Sequence, residues 1–301
     1  MEGCVAGECG TQSVCQGAFS NDHDAWIAIP PDQQQPGQGI TILRTHNGGK
    51  SWDRAKINDP LVGIVDTPHF VNDQQGWLEA SSTPGAGHTV IDIWHSLDGG
   101  MNWTKIASNT DNSGFNMGYV TGLSFRDAQT GIATGNLSEV GDNTIPSILL
   151  TQNGGQNWQT VSLPHVLGGY TVSLNISQPP VFFGNLVFLP VVIKTQNGDL
   201  LILYRSEDSG MNWVQTTPVP IAAENTYVMD TFHAWATDTQ NGKFYRTIDG
   251  GKHWTDTSNT PYHLGALSFI DANNGWGIAN QTLMHTTDGG KEWQKIPYTQ
   301  Q

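Results

Sequence analysis

THNGGKSW (Thr45–Trp52), SLDGGMNW (Ser96–Trp103), TQNGGQNW (Thr151–Trp158), SEDSGMNW (Ser206–Trp213), TIDGGKHW (Thr247–Trp254) and TTDGGKEW (Thr286–Trp293) are six copies of one eight-residue box, Ser/Thr-x-Asp/Asn-x-Gly-x-x-Trp. Six matches to so constrained a pattern are an internal repeat, and a repeat must be read before any single motif. The intervals between box tryptophans are 51, 55, 55, 41 and 39 residues, each suited to one four-stranded sheet and none long enough to hide a further copy.

Working outward from each box gives the rest of the unit. A second element precedes most boxes: FVNDQQGWLEA from Phe70, FRDAQTGIATG from Phe125 and FIDANNGWGIA from Phe269, with looser copies in FSNDHDAWIAI from Phe19 and MDTFHAWATD from Met229. Each reads as strand, tight turn, strand. The apolar run before each box, such as TILR from Thr41 or LLILYR from Leu200, supplies a third strand, and the residues after the box Trp a fourth. The expected fold is all-β, a six-bladed β-propeller of four-stranded antiparallel blades, with a cysteine-bearing segment at 1–16 and a single propeller at 17–301. The stretch from Val181 keeps its strands but lacks the Asp-Gly-Trp turn and is the divergent copy.

The box has a physical logic. Its Asp or Asn (Asn47, Asp98, Asn153, Asp208, Asp249, Asp288) can accept hydrogen bonds from nearby amides, and the glycine at position five tolerates a positive φ. The box tryptophans (Trp52, Trp103, Trp158, Trp213, Trp254, Trp293) are expected to fill the space between sheets, Trp103 and Trp254 being natural tests, and so are Trp26, Trp77, Trp235 and Trp276 of the hairpin. Only Trp94 falls outside the repeat.

Composition limits the function classes. The chain has 301 residues, 35 of them glycine, and carries 27 acidic against 13 basic residues for a formal charge of −14, which removes the electrostatic attraction on which nucleic-acid binding relies. No run of about 18 apolar residues is present, so no membrane-spanning helix is expected. Cys4, Cys9 and Cys15 allow one disulfide with a thiol left over, and a zinc site would need a fourth ligand; no metal or cofactor is expected. Only 13% of residues are charged, a neutral polar surface that suits an extracytoplasmic, secreted setting, and a signal segment is expected to have preceded Met1. A monomer is expected.

The boxes resemble those of the sialidase-like Asp-box (BNR) propellers, and the paired FxDxxxGW hairpin resembles the photosystem II assembly-factor type of BNR repeat more than a true sialidase. The resemblance covers the chain from about Phe19 onward and implies the fold; it implies a binding role without naming the client, because the wider superfamily also holds glycoside hydrolases. In the resembled sialidases catalysis lies at the end opposite the boxes and uses three arginines. Here Arg44, Arg205 and Arg246 each precede a box, Arg54 follows one and Arg126 lies in a hairpin turn, so a sialidase is excluded.

In a four-stranded meander the 2-to-3 and blade-to-blade loops share the end away from the boxes. Glu79, Glu139 and Glu224, three of only seven glutamates, are placed on or near it, with Asp66, Asp142 and Asp230. His88, His165 and His263 fall there too, and Trp94 is added as the one aromatic outside the repeat. Two functions remain. The first is a non-catalytic propeller binding a protein or carbohydrate partner through that end; the alternative is a glycoside hydrolase or lyase that uses two of these carboxylates.

Overall fold

The computed structural model describes residues 16–32, 37–82, 89–137, 147–164, 171–175, 178–238, 241–257 and 263–297. Every regular element among them is a β-strand, and none is a helix that could cross a membrane. The strands form six antiparallel meanders, the blades of a six-bladed β-propeller. Blade one is Gln16–Phe19, Ala25–Ile29, Ile40–Thr45 and Asp53–Ile57; blade three is Met117–Phe125, Gly131–Leu137, Ser147–Thr151 and Gln159–Ser162. Blades five and six repeat that pattern from Asn225 and from Leu267. In blades two and four the first strand is split, into Val62–Val65 with His69–Phe70 and into Thr171–Asn175 with Val181–Phe183, and both pieces pair with one second strand, Gly76–Ser82 or Leu186–Thr195. The chain divides into two compact units, the first carrying blades one to three and the second blades four to six.

Each box is a closed hydrogen-bond circuit. The hydroxyl at position one is buried in all six copies, with Ser96, Thr151, Ser206, Thr247 and Thr286 only 1% exposed. It donates to the position-three side chain and accepts the position-five amide: Ser96 Oγ lies 2.9 Å from Asp98 Oδ1 and 2.7 Å from Gly100 N, and Thr247 and Thr286 repeat the pattern. The same Oδ1 takes the position-seven amide at 2.8 Å in blade two, so one carboxylate ties the whole turn. Position four also needs a positive φ, a demand the pattern leaves unstated; Ser209 meets it at φ 63° where the other copies have glycine.

The hairpin motif is the lock between neighbours. Trp26 stacks on Phe70 of the next blade at 3.9 Å and 9°, Trp77 on Phe125 at 3.8 Å and 7°, and in the second unit Trp235 on Phe269 at 3.6 Å and 5°. The indole N–H of each then donates to a box carbonyl of that next blade: Gly99 O at 2.8 Å, Gly154 O at 2.9 Å and Gly289 O at 2.9 Å. The motif's glycine follows from the stack, since a Cβ on Gly76, Gly131 or Gly275 would stand inside the phenylalanine ring. Its third residue caps the turn; Asp271 Oδ1 accepts the amides of Asn273 and Asn274, each at 2.7 Å. Arg44 and Arg246, beside Trp26 and Trp235 in the register, complete the lock with guanidinium groups 5.9 and 5.7 Å from those rings. Their terminal nitrogens donate to Asp73 O at 3.0 Å and Ala272 O at 2.8 Å in the next hairpin turns.

Burial ranks the tryptophans differently from the expectation. Trp26, Trp77 and Trp235 of the hairpins are completely buried, whereas the box residues Trp52, Trp103 and Trp254, and Trp276 of the last hairpin, are partly exposed. Trp158, Trp213 and Trp293 are buried as expected, at 6–7% exposure, so box tryptophans, which sit near the outer, fourth strand, are covered to differing extents, while the three fully buried tryptophans lie on second strands. Trp77→Ala and Trp235→Ala should therefore each cost about 3–5 kcal/mol, and Trp103→Ala and Trp254→Ala less. Urea midpoints of the four variants check the order, and equal losses would contradict it.

Candidate functional site

The site candidates separate once their strands are known. Asp230 is a turn residue: its Oδ1 accepts the amides of Phe232 at 2.7 Å and His233 at 2.8 Å, the role Asp271 has in blade six. It therefore lies in a 1-to-2 turn, at the box end rather than the loop end where it was expected. Burial pushes its carboxyl upward, but these amides and His233 outweigh that and hold it below its ordinary value. Glu224 is exposed, just before the first strand of blade five, with its amide donating to Thr237 O at 2.9 Å. Trp94 is a third-strand residue packed beside Leu78 and Ala80, with Lys105 Nζ 5.9 Å from its ring. Glu139, Asp142, His88, His165 and the three cysteines lie outside the described residues.

Glu79 and Asp66 are brought together. Glu79 was expected in a loop; it stands instead inside the second strand of blade two, opposite Ile93, and is only 6% exposed. The first strand pairs Val65 with Ala80, so the next residue, Asp66, falls across from Glu79, and its amide donates to Glu79 O at 3.0 Å. Asp66 opens the break in the first strand, where Pro68 supplies no N–H to the ladder. Two residues beyond the hairpin tryptophan, the position of Glu79, the other blades hold Ala28, Thr134, Pro190, Thr237 and Ile278. Glu79 is the sole ionisable residue in this set, placed where the repeat asks for a small or apolar side chain.

Its surroundings set its charge. Burial raises the Glu79 carboxyl to about 8, and the negative charge of Asp66 adds to the shift; a hydrogen bond with Ser81 opposes it, and Asp92 adds a weaker repulsion. Burial also raises Asp66, against the amide of Thr67. Asp92 is itself buried and holds Lys105 Nζ at 3.0 Å. Near neutral pH the pair thus keeps a proton on Glu79, leaving a group that can donate a hydrogen bond beside an acid that can accept one.

The strands around the pair are irregular and carry exposed apolar side chains. The register slips between Val62 and Ile64 in blade two, and twice in blade three, between Met117 and Tyr119 and between Val120 and Gly122. Gly135 has φ 154°, and a Cβ there would collide with Tyr119 O, so the slipped strand needs glycine beside it. Ile64, which alternates onto the face of Asp66, is 48% exposed, and Tyr119 is 62% exposed. Blade two thus holds an acid pair with an exposed apolar residue, Ile64, on the face of Asp66, chemistry suited to a ligand with cationic and apolar parts.

No known family's sequence profile matches the chain. It is 37% identical over 60 residues to the photosystem II stability/assembly factor HCF136 of Arabidopsis thaliana, and 25% identical over 167 residues to a xyloglucanase of a Paenibacillus species. These alignments cover 20% and 55% of this chain but only 13% and 15% of those two proteins. Among solved structures it is similar to YCF48 from Cyanidioschyzon merolae, with TM-score 0.62 at 16% identity, over 96% of this chain and 86% of that one. YCF48 bound to D1 peptide gives TM-score 0.59 at 17% identity, over 96% and 82%. A xyloglucanase from Xanthomonas campestris gives 0.54 at 16%, over 92% of this chain and 45% of that one. At such identities the structural likeness is one of fold.

The raised Glu79 fixes a pH dependence. The folded chain keeps its proton to about 8 whereas the unfolded chain loses it near the ordinary value of 4.5, so between those values folding binds a proton and stability falls as pH rises. The box acids act in another window. Burial pushes Asp98 and Asp208 upward, but hydrogen bonds from Asn102 with Ser96, and from Asn212 with Ser206, hold them below 3.8, so their contribution is lost as pH falls through that region. Between about pH 5 and 8 the stability advantage of the wild type over Glu79→Gln, read from urea midpoints, should shrink as pH rises, on a shared background that rises toward neutrality because burial holds His69 and His95 below 6.5; parallel profiles would contradict the assignment.

Proposed function

We propose that the chain is a non-catalytic, extracytoplasmic propeller that binds a basic, partly apolar segment of another protein at the first strands of blades two and three. The observation that carries this reading is the Asp66–Glu79 pair. A glycosidase sets two carboxylates on either side of a scissile bond, about 5–9 Å apart around an open cleft. These two are cross-strand neighbours on adjacent strands, and Glu79 is buried, so they form a single polar spot rather than two jaws. The exposed Ile64 and Tyr119 add apolar contact area, and the formal charge of −14 favours association with a basic partner. The similarity to HCF136, an assembly factor, and to YCF48, whose structure holds a D1 peptide, supports a protein partner. The neutral polar composition supports the extracytoplasmic setting.

A glycoside hydrolase is the second reading, favoured by the stretch similar to a xyloglucanase and by the raised Glu79, a property of general acids. Selection of a displayed random-peptide library on the purified chain separates the two. Binding predicts enrichment of peptides with lysine or arginine beside apolar residues, with affinity lowered about tenfold or more by Tyr119→Ser or Ile64→Ser. Failure to enrich any peptide, together with xyloglucan cleavage abolished by Glu79→Gln, would establish the hydrolase instead.

A further inference from the structure

Blade three departs from the repeat at three connected places. Where other blades have Trp26, Trp77, Phe188, Trp235 and Trp276 it has Ile132, and across the register, where they have Arg44, His95, Arg205, Arg246 and His285, it has Leu150. A stacked pair of long flat groups is thus replaced by two short aliphatic ones. The third departure is in the box. At positions three and seven the side chains bond to each other in four other copies, Asn47 to Ser51 at 2.7 Å, Asp98 to Asn102 at 2.6 Å, Asp208 to Asn212 at 2.7 Å and Asp249 to His253 at 2.6 Å, while blade six holds two acids there, Asp288 and Glu292. In blade three Asn153 Oδ1 is used within the turn, by Thr151 Oγ1 at 3.0 Å and Asn157 N at 2.9 Å. No side-chain bond joins Asn153 to Asn157, and among the described residues the side-chain carboxamides of Asn157 and Gln159 and the Nδ2 of Asn153 are uncommitted.

A pocket of about 340 Å³ opens at this place, lined by Leu150, Gln152, Asn153, Asn157, Trp158 and Gln159. Leu150 and Trp158, only 1% and 6% exposed, form its apolar floor, and the indole N–H is already spent on Gly155 O at 2.9 Å. The polar part is made wholly of carboxamides, and none of the six residues carries a charge. Carboxamides donate and accept in equal measure, as the hydroxyls of a neutral polyol do, whereas a phosphate or an amine would enter without a counter-charge. The volume lies at the small end of ligand sites, enough for one or two rings and too compact for an extended peptide.

We propose that blade three carries a second binding site, in which the Nδ2 of Asn153 and the side-chain carboxamides of Asn157 and Gln159 hold a neutral saccharide ring over the floor made by Leu150 and Trp158. The site is separate from the acid pair of blade two and independent of its role. Calorimetric titration of the chain with cellotetraose, arabinotriose and a xyloglucan heptasaccharide tests it, using wild type, Leu150→Arg, Asn157→Ala and, as a control, Asn102→Ala in the box of blade two. Leu150→Arg restores the side chain that blades one, four and five carry at this position and fills the pocket. The expected result is binding of at least one saccharide, weakened about tenfold or more by Leu150→Arg and by Asn157→Ala, and unchanged in Asn102→Ala and Glu79→Gln. Absence of heat with every saccharide up to about 10 mM overturns the proposal, as does affinity retained in both blade-three variants or lost in Glu79→Gln. Thermal unfolding of each variant is read alongside; should Leu150→Arg fail to fold, the exposed Asn157→Ala and Gln159→Ala variants decide.

Discussion

The stack of a hairpin tryptophan on the phenylalanine of the following blade is the contact from which the remaining sequence pattern follows. Trp77 lying on Phe125 at 3.8 Å requires Gly131 beside that ring, an Asx-capped turn to bring the strand back, and a box carbonyl, Gly154 O, within reach of the indole N–H. Such a pair combines a large buried apolar area with a favourable ring geometry and a satisfied donor, so burial carries no polar penalty. The box circuit serves the same end, because the buried hydroxyl of Thr151 positions the glycine turn whose carbonyl receives the indole. Turn, hairpin and core are one mechanical unit, repeated.

This economy decides where function can reside. Trp26, Trp77 and Trp235 are committed to stacks, and Arg44 and Arg246 to carbonyls of neighbouring turns, so these groups, which a sugar- or carboxylate-binding enzyme would use first, are already engaged. The chain is instead distinctive where a blade breaks the rule. Glu79 puts a carboxyl on a strand position filled elsewhere by Ala28, Thr134, Pro190, Thr237 and Ile278, and the first strand beside it is broken at Asp66. Ile132 and Leu150 remove the stacked pair from blade three. Departures from local consistency mark sites that stability alone does not explain.

The fold was legible because its requirements are steric and local. Six Gly-Trp boxes, and glycines that must clear a phenylalanine ring, leave their pattern in the sequence whatever the rest of the blade does. The sites were less so, for definite reasons. Asp230 reads as a loop-end acid only until the hairpins are aligned on their third residue, where it matches Asp127 and Asp271 and becomes a turn cap. Glu79 follows Trp77 and Leu78 directly, and nothing in Glu-Ala-Ser-Ser announces that the strand continues to Ser82 and buries the acid. Its partner Asp66 was singled out, but their adjacency depends on a slipped register that no spacing encodes. The blade-three pocket is defined by missing bulk, which a search for reactive residues passes over.

The claim that organises these observations is that the first strands of blades two and three, and not the boxes, meet the partner. Hydrogen–deuterium exchange of the chain, alone and saturated with a basic apolar peptide selected on it, tests this most directly. Slowed exchange confined to 62–66 and 117–122, with the box turns at 45–52 and 247–254 unchanged, is the expected result. Slowed exchange in the box turns with 62–66 and 117–122 unaffected would contradict it.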